Sequence, residues 1–213
     1  MARTNLITNA SFRSATTGWS ALSTASVALD STGGFIGTSC LSVTSVTSTS
    51  TGVVLTNYIT IDESKDYSIS AYLKIASGST AGSITMKVDW YNSSNSSVLT
   101  SSSSLVLTAD DDWYRVGITV SASVIPATAI KAKVSFVPTT SSTVTAFFLD
   151  AVLFEQNSYI QEFYEDFNQV SSTVQSQIEP IDSTILAASK QGLENAIVNN
   201  ALRKMPTPYI SGL

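Results

Sequence analysis

Apolar and polar residues alternate along most of the chain up to Phe154. The alternation is clearest in residues 67–75 and 84–91, where every second side chain is apolar. A period of two places successive side chains on opposite faces of a β-strand. About ten such runs are separated by turn-forming residues, a spacing typical of an all-β sandwich or barrel. The predicted strands are residues 3–8, 25–30, 39–47, 52–61, 67–75, 84–91, 98–107, 113–120, 129–137 and 144–154.

The period changes after Glu155. Apolar residues then recur at alternating steps of three and four, which is the spacing of a helical seam packed against other helices. This pattern predicts a homo-oligomer, with a trimer as the favoured state. The residues of the predicted seam are Ile160, Phe163, Phe167, Val170 and Val174.

The change of period divides the chain into three predicted segments. Residues 1–156 form the β-sandwich, and residues 157–204 form a helical oligomerisation or docking segment that Pro180 interrupts. Residues 205–213 contain two further prolines and form an extended C-terminal arm. The predicted fold class is therefore mainly β: an antiparallel jelly-roll sandwich followed by helices and an arm.

Composition and charge exclude several classes of partner. Charged residues make up 13% of the chain, roughly half of the usual share in globular domains, and the net charge is −5. No basic stripe is present, so we predict no nucleic-acid partner. No apolar run approaches the length of a membrane span, so no membrane insertion is predicted. The N-terminus lacks the apolar stretch of a secretion signal, and the lone Cys40 fits assembly in a reducing cytoplasm.

The residues available for chemistry argue against an enzyme. The chain contains no histidine, which removes the commonest general base and metal ligand and any Ser-His-Asp triad. No glycine-rich phosphate loop is present. The one dense acidic cluster, residues 110–112, falls in a predicted turn, where aspartate is ordinary.

Aromatic residues are the remaining candidates for a binding site, because exposed rings stack on the apolar faces of sugars. Trp90 shares a strand face with Val88 and is predicted to lie in the core. Tyr72 and Tyr91 point away from their apolar neighbours and are the predicted glycan-binding residues. Trp19 lies in a predicted loop, where it either covers an edge of the core or joins the glycan-binding groove.

Several short motifs, in this order, resemble those of jelly-roll carbohydrate-binding modules of the xylanase-associated type. Residues 5–12, followed by Gly18-Trp19, resemble the opening "N-L-L-x-N-x-x-F-E … G-W". Residues 67–74 resemble the strand "Y-T-x-S-A-Y-V-K", and residues 113–115 resemble the strand start "W-x-R". Residues 148–152 resemble the closing strand "F-Y-x-D-D-V". With Trp90-Tyr91-Asn92 added, the arrangement is also similar to that of minor tail and other virion proteins of tailed bacteriophages.

The resemblance implies a two-sheet jelly roll and, in many members, a structural calcium near the N-terminal Glu and the closing-strand Asp. Here Arg13 replaces that Glu and only Asp150 remains, so no metal or other cofactor is predicted. The resemblance further implies a structural virion protein, namely a tail, fibre or capsid-decoration subunit assembled in the host cytoplasm. Its predicted partners are other virion proteins. The alternative is a module that binds glycan on the host surface.

Overall fold

The structure is a computed structural model that describes residues 4–76, 78–108, 112–139 and 143–164. Within these residues the chain forms eleven β-strands and no α-helix. The strands are β1 (Trp19–Leu22), β2 (Ser26–Asp30), β3 (Cys40–Thr44), β4 (Gly52–Leu55), β5 (Ile59–Thr60), β6 (Tyr67–Ile75), β7 (Gly82–Tyr91), β8 (Ser97–Leu107), β9 (Tyr114–Val120), β10 (Lys131–Pro138) and β11 (Phe147–Glu155).

The strands pair into two antiparallel sheets that pack face to face. Sheet A has the order β1-β4-β10-β7-β8, and the short β5 pairs with β10 beside β4. Sheet B has the order β2-β3-β11-β6-β9. Most neighbours in a sheet are distant in sequence, as in a jelly roll. The predicted antiparallel β-sandwich is therefore confirmed.

The core lies between the sheets and is built from the alternating apolar positions that the sequence marks. In β6, every second residue from Tyr67 to Leu73 is fully buried. In β7, Ile84, Met86, Val88 and Trp90 are fully buried. The Trp90 indole N–H, which would be costly to bury without a partner, donates to the Ser101 hydroxyl at 3.1 Å.

Residues 4–8, the described part of the strand predicted for residues 3–8, do not form a strand. The side chain of the buried Asn5 replaces a regular ladder: its amide donates to the Val152 carbonyl at 2.9 Å, and its oxygen accepts from the Phe154 N–H at 3.0 Å. This exchange occurs where β11 shifts register after Asp150, at the positive φ of Ala151. Two backbone hydrogen bonds add to this contact, from the Leu6 N–H to the Phe154 carbonyl at 2.7 Å and from the Val152 N–H to the Ala10 carbonyl at 2.9 Å.

Residues 156–164 contain no helix, which corrects the prediction that a helical segment begins at residue 157. Contacts with sheet B hold the chain instead. The Arg115 guanidinium donates to the Gln161 carbonyl and lies 3.3 Å from the Glu162 carboxylate. The Ile160 side chain lies over Gly117, so close that a Cβ there would sit 2.5 Å from the Ile160 Cδ1.

The rest of the predicted helical segment, including seam residues Phe167, Val170 and Val174, and the predicted arm lie outside the described residues. The other two seam residues, Ile160 and Phe163, lie in the non-helical stretch. Among the described residues, no helix has the length and apolar character to cross a membrane.

Candidate functional site

The three predicted glycan-binding residues occupy three different places. Tyr91 is the last residue of β7 and lies on the outer face of sheet A, whereas Tyr72 in β6 lies on the outer face of sheet B. Because the two sheets pack through their inner faces, these tyrosines point away from each other. The structure therefore does not bring them into one groove.

Trp19 belongs to the core. It begins β1 instead of lying in a loop, and only 5% of its surface is exposed. Its ring packs 5.7 Å from Phe12 and 6.2 Å from Phe136, measured between ring centroids. A ring enclosed in this way cannot stack on a sugar, so Trp19 is removed from the candidate site.

On sheet A, Tyr91 forms one half of an aromatic pair. The other half is Tyr58, which precedes β5 and is 39% exposed. The two rings meet edge to face, with centroids 5.0 Å apart and an interplanar angle of 74°. Edge-to-face packing places the edge of one ring against a face of the other, so only one of the two rings has a face covered by the pair, whereas parallel stacking covers a face of both rings.

Two lysines flank this pair. Lys131 and Lys133 alternate with the buried Ala132 and Val134 in β10, so both point outward. Their ammonium nitrogens lie 4.8 Å and 4.5 Å from the centroid of the Tyr58 ring. Both ammoniums therefore lie over the Tyr58 ring, which is the more exposed ring of the pair, and place hydrogen-bond donors there.

Acceptors lie on the same face. In the β7–β8 ladder, Asp89 lies opposite Thr100, whose hydroxyl donates to the Asp89 carboxylate at 2.5 Å. Lys131 donates to the side-chain oxygen of Asn95 at 2.5 Å. Burial, and then the charge of Asp89, raises the pKa of the Tyr91 hydroxyl above its usual value of 10.0. That hydroxyl therefore stays protonated and able to donate at neutral pH.

The aromatic residues on sheet B are engaged with one another. The Phe35 ring stacks on Tyr72 with centroids 3.6 Å apart and an interplanar angle of 15°. The Arg115 guanidinium also lies over the Tyr72 ring, at 5.6 Å. The Lys74 ammonium lies 5.5 Å from the Trp113 ring and 5.3 Å from the Phe148 ring. These contacts occupy the Tyr72 face that a sugar would need.

Asp150 holds this arrangement in place and does not resemble a calcium ligand. Its fully buried carboxylate accepts hydrogen bonds from the backbone N–H groups of Phe35 at 2.8 Å, Ile36 at 2.9 Å and Ala151 at 2.7 Å. Calcium needs a shell of oxygen ligands, whereas N–H groups turn their positive ends toward the carboxylate. No metal-binding group of acidic, histidine or cysteine residues occurs among the described residues. The implied calcium therefore does not fit here.

Sequence reasoning identified Tyr91 but did not select its neighbours Tyr58, Lys131 and Lys133. The alternation Lys131-Ala132-Lys133-Val134 was the available signal, because it marks both lysines as outward on a half-buried strand. No local pattern shows that Tyr58 lies beside them. That proximity depends on the pairing of β5 with β10, in which Thr60 lies opposite Lys131 across more than seventy positions of sequence.

Solved structures show the same fold at low sequence identity. The chain is similar to the xylan-binding domain CBM22-1 of Paenibacillus barcinonensis Xyn10C, with a TM-score of 0.59 and 19% identity over 75% of this chain and 98% of that one. It is similar to the Clostridium thermocellum xylanase Xyn10B modules CBM22-1 and GH10 complexed with xylohexaose, with a TM-score of 0.57 and 18% identity over 75% and 30% of the two chains.

The fold also recurs in the enzymatically active domain of bacteriophage CBA120 tailspike protein 4, with a TM-score of 0.51 and 14% identity over 70% of this chain and 21% of that one. No curated protein sequence matches the chain. A family model described as "Carbohydrate binding domain" matches residues 4–143, which is more than half of the sequence. The chain therefore belongs to this family of carbohydrate-binding domains.

Proposed function

We propose that the protein binds a glycan on the outer face of sheet A, with Tyr58 and Tyr91 as the aromatic platform. The observation that carries the proposal is the edge-to-face pair of these tyrosines, with Tyr58 39% exposed and two lysine ammoniums within 5 Å of its ring centroid. Rings with a polar tip suit the boundary between a sugar and water.

The chemistry of the proposed site is recognition without bond cleavage. The apolar face of a pyranose ring stacks on a tyrosine, and its hydroxyls exchange hydrogen bonds with the Lys131 and Lys133 ammoniums and the Asp89 carboxylate. The absence of histidine from the sequence and membership of a binding family support a module with no catalytic activity of its own. Xylo-oligosaccharides are the first ligands to try, because similar structures are described as xylan-binding.

A glycan array probed with the full chain tests the proposal. We expect Tyr91→Ala and Tyr58→Ala each to reduce the signal, because each removes stacking area, whereas Tyr72→Ala on the opposite face leaves it unchanged. Signal that survives in Tyr91→Ala but disappears in Tyr72→Ala would place the ligand on sheet B and contradict the proposal.

The second candidate function is that of a structural virion protein that displays the sandwich and attaches through its C-terminal region. It is supported by the order of the sequence motifs and by the similarity to a domain of a phage tailspike. In this proposal the chain assembles in the host cytoplasm with other virion proteins and forms a homotrimer through the remaining seam residues Phe167, Val170 and Val174.

Light scattering of the full chain tests the trimer. The monomer has a mass of 22.5 kDa, and we expect a particle of three times that mass. A concentration-independent mass of one chain would contradict the oligomer. It would leave the glycan proposal standing, because the sheet A face lies within one sandwich.

A further inference from the structure

Positive charge is concentrated on the outer face of sheet A, although the whole chain has a net charge of −5. Three lysines, Lys87, Lys131 and Lys133, point outward from the adjacent central strands β7 and β10, against one carboxylate, Asp89. Among the described residues, none of these lysines forms an ion pair. Asp89 lies opposite Lys133 in the β7–β10 ladder without forming an ion pair with it, so the described residues of the face carry two more cations than carboxylates.

We infer that the glycan bound at this face is acidic, with an anionic substituent held between the Lys131 and Lys133 ammoniums that lie over the Tyr58 ring. The inference rests on the proposed function and specifies its ligand class. The two ammoniums lie 4.8 Å and 4.5 Å from the Tyr58 centroid. A substituent of a sugar stacked on that ring therefore falls within reach of both.

The partners of these groups leave their charge available. Lys131 donates to the neutral amide oxygen of Asn95 and not to a carboxylate, so this bond orients the ammonium without neutralising it. Asp89 accepts the Thr100 hydroxyl on the side of β8. An ammonium is a compact point charge that donates hydrogen bonds to carboxylate and phosphate alike. The shared chemistry of the ligand is therefore its negative charge.

The test compares sugars that differ only in that charge. Isothermal titration calorimetry of the full chain would use xylohexaose, the same backbone bearing one glucuronic acid, and the same backbone bearing one phosphate. We expect at least one acidic form to bind about fivefold more tightly than the neutral form, as expected for one to two partly exposed ion pairs. This advantage shrinks as salt rises, because salt screens exposed charges.

Substitutions test whether the two lysines cause the tighter binding of the acidic sugars. The double variant Lys131→Gln/Lys133→Gln is expected to bind the acidic and neutral sugars equally, although both bind more weakly than to the wild-type protein because two ammonium hydrogen-bond donors are lost. Lys65→Gln, which removes the same charge from an exposed turn, is expected to keep the advantage. Equal affinity of the wild-type protein for all three sugars, or an advantage that persists in the double variant, overturns the inference and leaves the proposed function intact. Failure to bind any of the three sugars, or any glycan on the array, overturns the proposed function itself.

Discussion

The outer faces of the two sheets are built from the same residue types, yet they use them differently. On sheet B, Phe35 and Tyr72 stack in parallel at 3.6 Å, and Lys74 lies between two further rings. On sheet A, Tyr58 and Tyr91 meet edge to face at 5.0 Å. Parallel stacking covers a face of both rings, whereas edge-to-face packing covers a face of only one, although on both sheets cationic side chains also lie over aromatic rings. Aromatic content alone therefore does not indicate a binding face.

The covering segments explain the difference. On sheet B, Asp150 ties the loop of residues 31–39 to the sheet, and Arg115 holds residues 156–164. Ser68 and Ser70 on this face are each only 2% exposed, and Ser135 and Thr85, which point outward from sheet A, are 5% and 8% exposed. On sheet A, outward residues such as Tyr91, Lys131 and Thr100 keep part of their surface accessible. The outer face of sheet B is therefore covered by two segments of the chain, and in the proposed function it is the outer face of sheet A that meets the ligand.

The largest expected effect concerns Cys40, which lies on sheet B and is fully buried. Burial raises the pKa of its thiol to about 12, so the reactive thiolate is about a thousandfold scarcer than in an exposed cysteine. We expect a disulfide reagent at pH 8 to label the native protein slowly and the protein in denaturant rapidly. Fast labelling of the native protein would show that sheet B is not sealed.

Replacing Asp150 directly tests how the loop of residues 31–39 is held on sheet B. Asp150→Ala leaves three backbone N–H groups without their acceptor, and each buried unsatisfied donor costs about 1–3 kcal/mol. We therefore expect the free energy of unfolding to fall by about 3 kcal/mol or more, measured by urea denaturation. Asp62→Ala, in an exposed turn, is the matched control with a much smaller effect. A loss no larger than that of the control would contradict the role given to Asp150.

Much of the fold followed from the alternation of residues, but the site did not. The buried faces of β6 and β7 are those that the pattern predicts, and Tyr72 and Tyr91 both point outward as expected. Alternation shows which side of a strand a residue occupies, but not which sheet the strand joins. That depends on long-range pairing, such as β11 between β3 and β6. For the same reason the sequence did not predict that Tyr58 lies beside Lys131, or that Trp19 begins a strand and does not lie in a loop.

The next largest expected effect comes from replacing one tyrosine on each outer face with alanine. We expect Tyr91→Ala to weaken glycan binding about tenfold, which corresponds to about 1.4 kcal/mol. It should also lower the free energy of unfolding by about 0.5–1.5 kcal/mol, because the ring pair with Tyr58 is lost. Tyr72→Ala should lower the free energy of unfolding by about 1–2 kcal/mol and leave affinity unchanged. Calorimetry and thermal denaturation on both variants measure the two quantities. A loss of affinity in Tyr72→Ala, or unchanged affinity in Tyr91→Ala, would contradict the division between the faces.

The smallest expected effect is the dependence on pH. Hydrogen bonds from Thr32 lower the pKa of Asp30 on sheet B below its usual value. Its contribution to stability is therefore complete above about pH 4 and is lost as pH falls through the lowered folded value. On sheet A, the raised pKa of Tyr91 keeps its hydroxyl protonated, so binding should be constant from about pH 6 to 9. Asp30→Asn should reduce the acid dependence of unfolding without altering that plateau.

The face that binds the glycan is located most directly by a nuclear magnetic resonance titration of the isotopically labelled full chain with a glycan selected on the array. We predict that the largest shift changes fall on the outer face of sheet A, at Tyr58, Tyr91, Lys131 and Lys133. Changes centred instead on Phe35, Tyr72 and Trp113 would show that sheet B is the binding face and would contradict the account.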